Sequence, residues 1–437
     1  MTAVIIAGGK GTRLSSITNN EIPKPMVRLL SKPILEYQIE ALRRNGIVKI
    51  ILIIGYLHEI IENHFNDGSA FGVSIEYIVE KEPLGSAGAL FFLRGKITEP
   101  FFVVFGDLIF DVFIRKMLAF HNEHTAVMTL LVHPNAHPYD SDLVVVDNTC
   151  KVLRIDSKNT QRDYFYKNLV NAGIFILNPF ALDVIGEVRR ADFEKDIIQP
   201  LIIQTNSVYG YKTTEYVKDV GTPERLAATE NDIMLGIVSG KNQRKMQKCI
   251  FLDRDGTINK YIGLLSRIDS FELEDGVIDA IKIINKSEYL AIVITNQPVI
   301  ARNLCSIQQL DAIHNKMETL LGNEGAYIDD ISYCPHHPDK GYPEENYEYK
   351  KECTCRKPKI GMIEECANKY NIDLSRSWMI GDSTIDIQTG INAGLKTVLL
   401  HTGQAGMDHK WDVRSDFEAD SMIEAIYMIV EVRDEGL

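Results

Sequence analysis

The sequence predicts an α/β protein built as two Rossmann-like domains, each a sheet packed between helices. Three observations carry this. The chain has 437 residues, more than one hydrophobic core usually supports. Short apolar runs alternate with amphipathic stretches, the pattern of strands covered by helices on both faces. That alternation is interrupted once, near residue 236, and then resumes.

In chain order, residues 3–7, Lys49–Ile54, Ser74–Val79, Phe101–Phe105 and 126–132 are strand-sized apolar runs, and residues 33–45 and 86–93 have helical patterning. A further helix starts near Glu224. The stretch 237–248, Ile-Val-Ser-Gly-Lys-Asn-Gln-Arg-Lys-Met-Gln-Lys, is polar and basic and is expected to be a linker. A buried strand opens again at 249–252, followed by 291–295, Trp378–Gly381 and 397–400, and 422–432 is expected to be a packing helix. The expected domains are therefore 1–236 and 249–437, joined by 237–248.

Hydrophobic residues make up 45% of the chain, which is ordinary for a globular protein. No apolar run is long enough to span a bilayer. The first residues lack a basic segment before a strand-sized apolar run, so a signal peptide is not expected and a cytoplasmic location is. A net charge of -13 argues against nucleic acid and anionic membrane as partners. It leaves room for small anionic substrates, since local Lys and Arg can line a pocket. Cys150, Cys249, Cys305 and Cys366 are expected to be buried small hydrophobes. A homo-oligomer is compatible with the sequence.

The first strand runs into Gly8-Gly9-Lys10-Gly11-Thr12-Arg13. Glycines let backbone amides approach an anion closely. No Gly-Lys-Ser/Thr follows, so this is not a Walker loop, and the third glycine of a dinucleotide fingerprint is missing. Arg13, with Lys24 between Pro23 and Pro25, supplies cations for a triphosphate and a departing pyrophosphate. Together these motifs resemble the sugar-1-phosphate nucleotidyltransferase family, over residues 1 to 235. Pro83-Leu84-Gly85-Ser86-Ala87-Gly88 is similar to its loop over the nucleobase, and Val170-Asn171-Ala172-Gly173 to its sugar-contacting strand. The resemblance implies a mixed sheet. It implies nucleotide binding by Gly8, Gly9, Gly11, Thr12, Arg13, Glu80, Pro83 and Gly85, and Mg²⁺ held by Asp107 and Asp219. Arg13 and Lys24 would act on the phosphates, while Lys158, Asn171 and Gly173 would bind the sugar phosphate. Ser157 stands where relatives carry a Glu before that lysine. Glu80 lies where relatives face the base. A carboxylate accepts two hydrogen bonds, and guanine offers adjacent N1–H and N2–H donors, so GTP is the expected nucleotide. The alternative for Glu80 is a surface residue of the run Glu80-Lys81-Glu82. Phe193-Glu194-Lys195-Asp196 resembles a sugar-contacting segment, or is a solvated helix start.

The second half opens with Phe251-Leu252-Asp253-Arg254-Asp255-Gly256-Thr257, an aspartate nucleophile and partner acid after an apolar strand. It resembles the haloacid dehalogenase-type phosphatase family over residues 249 to 403. This implies Asp253 as nucleophile, Asp255 as acid and then base, and phosphate contacts from Thr295, Asn296 and Lys357. It implies Mg²⁺ held by Asp253, the Asp255 carbonyl and Asp382, with Asp386 outside the ligand set. Cys334-x-His336 and Cys353-x-Cys355 form two close pairs suited to a closed, structural Zn²⁺ site. His337 is the alternative to His336. A disulfide is disfavoured in a reducing compartment. The zinc loop would present Arg356 and Lys357 to substrate.

The Cys-x-His and Cys-x-Cys-Arg-Lys-Pro pattern is similar to the heptose bisphosphate phosphatases and the histidinol-phosphate phosphatases. Relatives carry Asn-Gln-Ser-Gly where this chain has Asn296-Gln297-Pro298-Val299, so Pro298 and Val299 are expected to alter the substrate pocket. Arg302 is expected to reach a distal anionic group. Together the resemblances imply one enzyme with two activities. It would remove the 7-phosphate of D-glycero-D-manno-heptose 1,7-bisphosphate and transfer GMP from GTP to the resulting heptose 1-phosphate. The alternative is a mannose or other hexose 1-phosphate nucleotidyltransferase fused to a histidinol-phosphate-type phosphatase.

Overall fold

Alternation along the strands sorts their side chains between two cores. In Lys49–Ile54, Ile50, Leu52 and Ile54 join one apolar cluster and Ile51 and Ile53 join another. In Phe101–Phe105, Phe102 and Val104 face the first and Phe101 and Val103 the second. A sheet apolar on both faces must be covered on both. The helix Ile34–Arg44 covers the first face with Leu35, Ile39 and Leu42, and Gln199–Thr205 covers the second with Leu201.

The computed structural model describes residues 1–9, 14–186, 189–339, 341 and 345–431. It divides into two units. The first holds Met1–His133, Asp142–Ser157 and Leu169–Asn242; the second holds Pro134–Ser141, Lys158–Asn168 and the chain from Gln243. Two segments of the N-terminal half in sequence thus belong to the second unit in space.

The first unit's main sheet runs, in order, Val152–Asp156, Leu143–Val146, Val170–Leu177, Phe101–Phe105, Ala3–Ile6, Lys49–Ile54 and Ser74–Val79. Ala3–Ile6 is parallel to both neighbours, while Val170–Leu177 is antiparallel to Phe101–Phe105, so the sheet is mixed. In the second unit the order is Asp330–Cys334, Tyr289–Asn296, Lys248–Leu252, Trp378–Gly381, Lys396–Leu400 and Phe417–Ala419, all parallel. Ile250 and Leu252 face a core with the helices Val277–Asn285 and Met422–Glu431. Cys249 and Phe251 face Met362, Ile363 and Cys366 of Gly361–Tyr370. Among the described residues, no helix is long and apolar enough to cross a membrane.

Local structure departs from the sequence reading at three places. The stretch 86–93 forms a 3-10 turn, Gly88–Leu93, pressed so closely that a Cβ on Gly88 would lie 2.2 Å from the Arg189 carbonyl oxygen. The basic stretch 237–248 is largely fixed. Ile237–Gly240 is a helical turn, the Asn242 amide donates to Asp111 at 2.8 Å, and Gln247 bonds the backbone of Asn371 and Asp373. Cys150 is only half-buried and has φ 65°, because it closes a turn with Asp147 rather than entering a core.

Candidate active sites

In the first unit, Ala3–Ile6 delivers Gly8 to the C-terminal edge of the sheet, where ligands bind in open α/β folds. A Cβ on Gly8 would lie 2.0 Å from Glu80 Oε2, so the glutamate could keep its place only beside a glycine. Glu80 follows Ser74–Val79 and accepts from the Leu84 amide at 3.3 Å. Burial pushes its carboxyl pKa up, partly offset by that amide. It is therefore a half-buried acid at the cradle. The loop carrying Pro83 and Gly85 is held by a second segment. Ala87 N–H donates to Ala191 O, Ala191 N–H to Leu84 O, and Phe193 N–H to Ser86 Oγ. Gly85 has φ +79°, and a Cβ there would meet Ala191 O at 2.3 Å. Lys10, Gly11, Thr12 and Arg13 lie outside the described residues.

Asp107 and Asp219 come together through a two-stranded ladder. Leu108–Asp111 pairs antiparallel with Tyr216–Asp219, with Leu108 opposite Asp219, and Val220 N–H donates to Asp107 O. Asp107 is paired with the Lys24 ammonium at 2.5 Å. Asp219 Oδ2 receives Arg225 at 2.6 Å, while its Oδ1 is buried with no protein donor. An oxygen left without a donor among the described residues suits a hard divalent cation such as Mg²⁺. On Val170–Leu177, Asn171 Oδ1 accepts from Gly173 N–H at 3.1 Å, and the register shifts between Asn171 and Phe175. Gly173 has φ +73° and leaves the side of Phe105 clear. Glu194 begins the turn Glu194–Ile198; burial raises its pKa, and nearby Asp142 raises it further. Lys158 is exposed at the start of a segment that belongs to the second unit.

In the second unit, Asp253 follows Lys248–Leu252, flanked by the C-terminal ends of Tyr289–Asn296 and Trp378–Gly381. Lys357 Nζ lies 2.7 Å from Asp253 Oδ1 and 2.6 Å from Asp386 Oδ1. Burial works against its charge, but the two carboxylates outweigh it and hold the ammonium protonated. Its backbone is fixed by reciprocal bonds with the Asn296 side chain, at 3.0 and 3.1 Å. Asp253, Asp382 and Asp386 can bring oxygens within 4.8 Å of one another. Burial, then mutual repulsion, raises the pKa values of Asp253 and Asp382. Asp386 is saturated by protein, its Oδ2 accepting from Ser383 Oγ at 2.5 Å and Ser383 N at 3.2 Å. Asp382 Oδ2 accepts from Gln404 N–H, but its buried Oδ1 has no donor. An under-solvated carboxylate cluster with one bare oxygen fits a divalent cation.

Asp255 is surrounded by donors: Arg254, Gln297 Nε2 at 2.9 Å and Asn259 Nδ2 at 3.1 Å. Gln297 also donates to Thr295 Oγ1 at 2.9 Å. Sequence reading did not single out Gln297, Asn259 or Arg254 as partners of Asp255. Arg254 was visible, since it stands inside the Asp-x-Asp motif, whereas Asn259 had no local mark.

Cys334, His336, Cys353 and Cys355 converge. The Cys334 Sγ atom is 3.6 Å from that of Cys353 and 3.2 Å from that of Cys355; His336 Nδ1 is 3.7 and 3.4 Å from Cys334 and Cys355. A tetrahedron with Zn–S of about 2.3 Å and Zn–N of about 2.0 Å has edges of roughly 3.5 to 3.8 Å, so the cluster fits zinc. The gaps are too long for a disulfide, which needs about 2.05 Å. His337 turns elsewhere and its ring accepts from Asp339 N–H. Arg356 bonds the His336 carbonyl at 3.2 Å. Val299 is 1% exposed and packs with Ile300, Cys305 and Leu310. Pro298 is partly exposed and accepts from Arg302 N–H through its carbonyl.

The nucleotidyl transferase family matches residues 2–234, and the HAD-hydrolase-like family matches residues 354–425. The chain is 39% identical over 181 residues to the D-glycero-beta-D-manno-heptose-1,7-bisphosphate 7-phosphatase of Haemophilus influenzae, covering 41% of this chain and 95% of that protein. It is 34% identical over 228 residues to the mannose-1-phosphate guanyltransferase beta-A of Xenopus laevis, covering 51% of this chain and 62% of that protein. It thus spans less than two thirds of the latter relative. The structure of HddC from Yersinia pseudotuberculosis complexed with GMP-PN is similar at 26% identity and a TM-score of 0.47, covering 53% of this chain and 99% of that one.

Proposed function

From a chain that belongs to the nucleotidyl transferase family through residues 2–234, and to the family of D-glycero-beta-D-manno-heptose-1,7-bisphosphate 7-phosphatases through its second half, we propose a bifunctional enzyme that makes GDP-heptose. The second unit hydrolyses the 7-phosphate of D-glycero-D-manno-heptose 1,7-bisphosphate. The first transfers GMP from GTP to the heptose 1-phosphate so formed, releasing pyrophosphate. The observation that carries the reading is the Asp253–Lys357–Asp386 array beside the bare oxygen of Asp382.

In the phosphatase site, the Asp253 carboxylate bonds to phosphorus as the bond from phosphorus to the sugar oxygen breaks. Asp255 gives its proton to the leaving oxygen. It then takes a proton from water, whose oxygen attacks phosphorus and frees Asp253 with release of phosphate. Lys357, Thr295 and Asn296 bind the phosphoryl oxygens, and Arg302 and Arg356 hold the distal end of the substrate. Asp253, Asp382 and the Asp255 carbonyl would hold Mg²⁺, which supplies charge neutralisation at the phosphoryl group. Zinc on Cys334, His336, Cys353 and Cys355 would order the loop that carries Arg356 and Lys357.

In the transferase site, a heptose 1-phosphate oxygen attacks the α-phosphorus of GTP, a reaction that needs positioning and charge neutralisation more than covalent help. Gly8, Gly9, Gly11 and Thr12 cradle the phosphates, and Arg13 and Lys24 receive the pyrophosphate. Glu80 pairs with guanine under the Pro83 and Gly85 loop. Lys158, Asn171 and Gly173 bind the sugar phosphate, and Asp107 and Asp219 would hold Mg²⁺. A second reading of this site, mannose 1-phosphate as acceptor, is favoured by the identity to a mannose-1-phosphate guanyltransferase.

The test is a single incubation of heptose 1,7-bisphosphate with an equal mixture of the four nucleoside triphosphates and Mg²⁺, read by mass spectrometry. GDP-heptose is the expected product. Heptose 1-phosphate without nucleotide transfer overturns the first site's assignment, and untouched bisphosphate overturns the second's.

A further inference from the structure

Arg254 is an unusual residue to find at the centre of a folded unit, since its side chain is completely buried. A buried guanidinium is tolerated only where its charge and its N–H groups are met. Its Nη2 reaches both Asp255 oxygens, at 2.9 and 2.8 Å, and Nε reaches Oδ1 at 3.3 Å. Its Nη1 lies 3.2 Å from His314 Nε2, on the helix Ile307–Asn323. Arginine only donates, so His314 must accept through an unprotonated Nε2 and carry its proton on Nδ1. Burial and the neighbouring Arg254 both favour that neutral ring.

We propose that Arg254 and His314 are positioning residues for the proton-transfer step of the phosphatase, an inference that rests on the reading of Asp253 and Asp255 above. A fork seated on both carboxylate oxygens sets the plane of the Asp255 carboxyl. Its positive charge also matches the carboxylate that remains once the Asp255 proton has gone to the leaving sugar oxygen. His314 fixes the other end of the fork. Without it, Nη1 would be a buried donor with no acceptor, and the guanidinium would shift to find one. Gln297 and Asn259 hold Asp255 from other directions but carry no charge.

Proton donation matters only when the leaving group needs a proton. An alkyl phosphate leaves as a strongly basic alkoxide, whereas p-nitrophenyl phosphate leaves as a weakly basic phenolate. The full-length chain is assayed on both substrates, with heptose 1,7-bisphosphate as the alkyl ester. His314→Leu removes the acceptor and keeps the bulk. Its kcat/KM on the heptose ester, which reports the steps up to departure of the sugar and not the later hydrolysis of the aspartyl-phosphate common to both substrates, is expected to fall roughly 10- to 100-fold, a share of the usual contribution of acid–base catalysis, while kcat/KM on p-nitrophenyl phosphate stays within about 3-fold. His314→Gln, which can accept through its amide oxygen, is expected to restore most of the lost rate. Arg254→Lys keeps charge without the fork and covers the case in which the leucine variant does not fold. It is expected to show the same leaving-group selectivity. Equal losses on both substrates, or no loss on either, overturn the proposal. Asp255→Asn in the same assay separates the two levels. If it too is unselective between the substrates, the acid role of Asp255 itself is wrong; if it is selective and the His314 and Arg254 variants are not, only the positioning role is.

Discussion

Glu80 and Asp253 are both acids at strand ends, but they do opposite things with their oxygens. Asp253 is bonded by Lys357 and faces other acids; among the described residues Glu80 accepts from the Leu84 amide. An acid set that way is available to a neutral ligand with two N–H groups. Glu80→Gln keeps the shape but replaces one acceptor with a donor facing a guanine N–H. A buried bond to a charged group contributes about 1.5 to 3 kcal/mol, so kcat/KM for GTP should fall roughly 10- to 100-fold. Discrimination against ATP and UTP should shrink in the same experiment; an unchanged GTP preference would remove Glu80 from base recognition. His121 makes a different prediction. It is buried, its ring bonds Thr129 Oγ1 at 2.9 Å, and burial lowers its pKa to about 4. The unfolded chain binds that proton near pH 6.5 and the folded one does not. The stability it protects is therefore complete above that value and is lost as pH falls toward 4. The urea midpoint of wild type should drop more steeply over that window than that of His121→Asn. The convergence of Asp253 and Asp382 was legible because motif and strand end coincide there. Contacts across long separations without a motif, such as His314 beside Arg254, were not. Nothing in the neighbourhood of position 314 marks its ring as the acceptor for a guanidinium 60 positions earlier.

At the level of elements, the strands were the most legible. Lys49–Ile54, Phe101–Phe105 and Trp378–Gly381 follow the apolar runs, because a strand buried on both faces leaves almost no polar position within it, whereas Ser74–Val79 alternates buried and exposed residues. Two short segments, Pro134–Ser141 and Lys158–Asn168, were not legible as parts of the second unit. They are polar, and hydrogen bonds tie them to each other and to one helix. Asn135 N–H donates to Asn168 Oδ1, Asn168 Nδ2 donates to Asn135 O, and Arg162 caps the Pro138 and Ser141 carbonyls. On the helix Ile307–Asn323, Thr319 Oγ1 accepts from Tyr166 N–H at 2.8 Å and donates to Tyr166 O at 3.1 Å. Thr319→Val leaves a buried amide and carbonyl unmet, which costs about 1 to 3 kcal/mol each way. The second unit should melt several degrees lower and the Tyr166 amide should exchange faster, while Thr319→Ser should behave as wild type. The cysteine loop follows another rule. Zinc is proposed to tie its two ends together at Cys334, His336, Cys353 and Cys355, so its removal by a chelator should raise amide exchange between them. Phosphatase turnover should fall at least 10-fold, through loss of the platform for Lys357, and guanylyl transfer should persist.

For the whole molecule, the order of the two reactions follows from the chemistry of their groups. Under the proposed function, a nucleotidyl transfer to the 1-phosphate of a bisphosphate would carry the second phosphate into the product, so the phosphatase is expected to act first and feed the transferase. The residues proposed for the transferase lie in the N-terminal half of the sequence, but one of them, Lys158, stands in a segment that clusters with the second unit. This gives the two-site scheme a sharp internal check. Asp107→Asn should leave phosphate release within about 2-fold of wild type, because it alters neither Asp253 nor its partners, and heptose 1-phosphate should accumulate without GDP-heptose. Asp253→Asn should stop phosphate release by at least 100-fold, as loss of a nucleophile does, yet make GDP-heptose when heptose 1-phosphate is supplied directly. Lys158→Ala then decides which activity that lysine serves. A raised KM for heptose 1-phosphate with unchanged phosphatase kinetics assigns it to the transferase. The reverse pattern assigns it to the phosphatase, with which its segment packs.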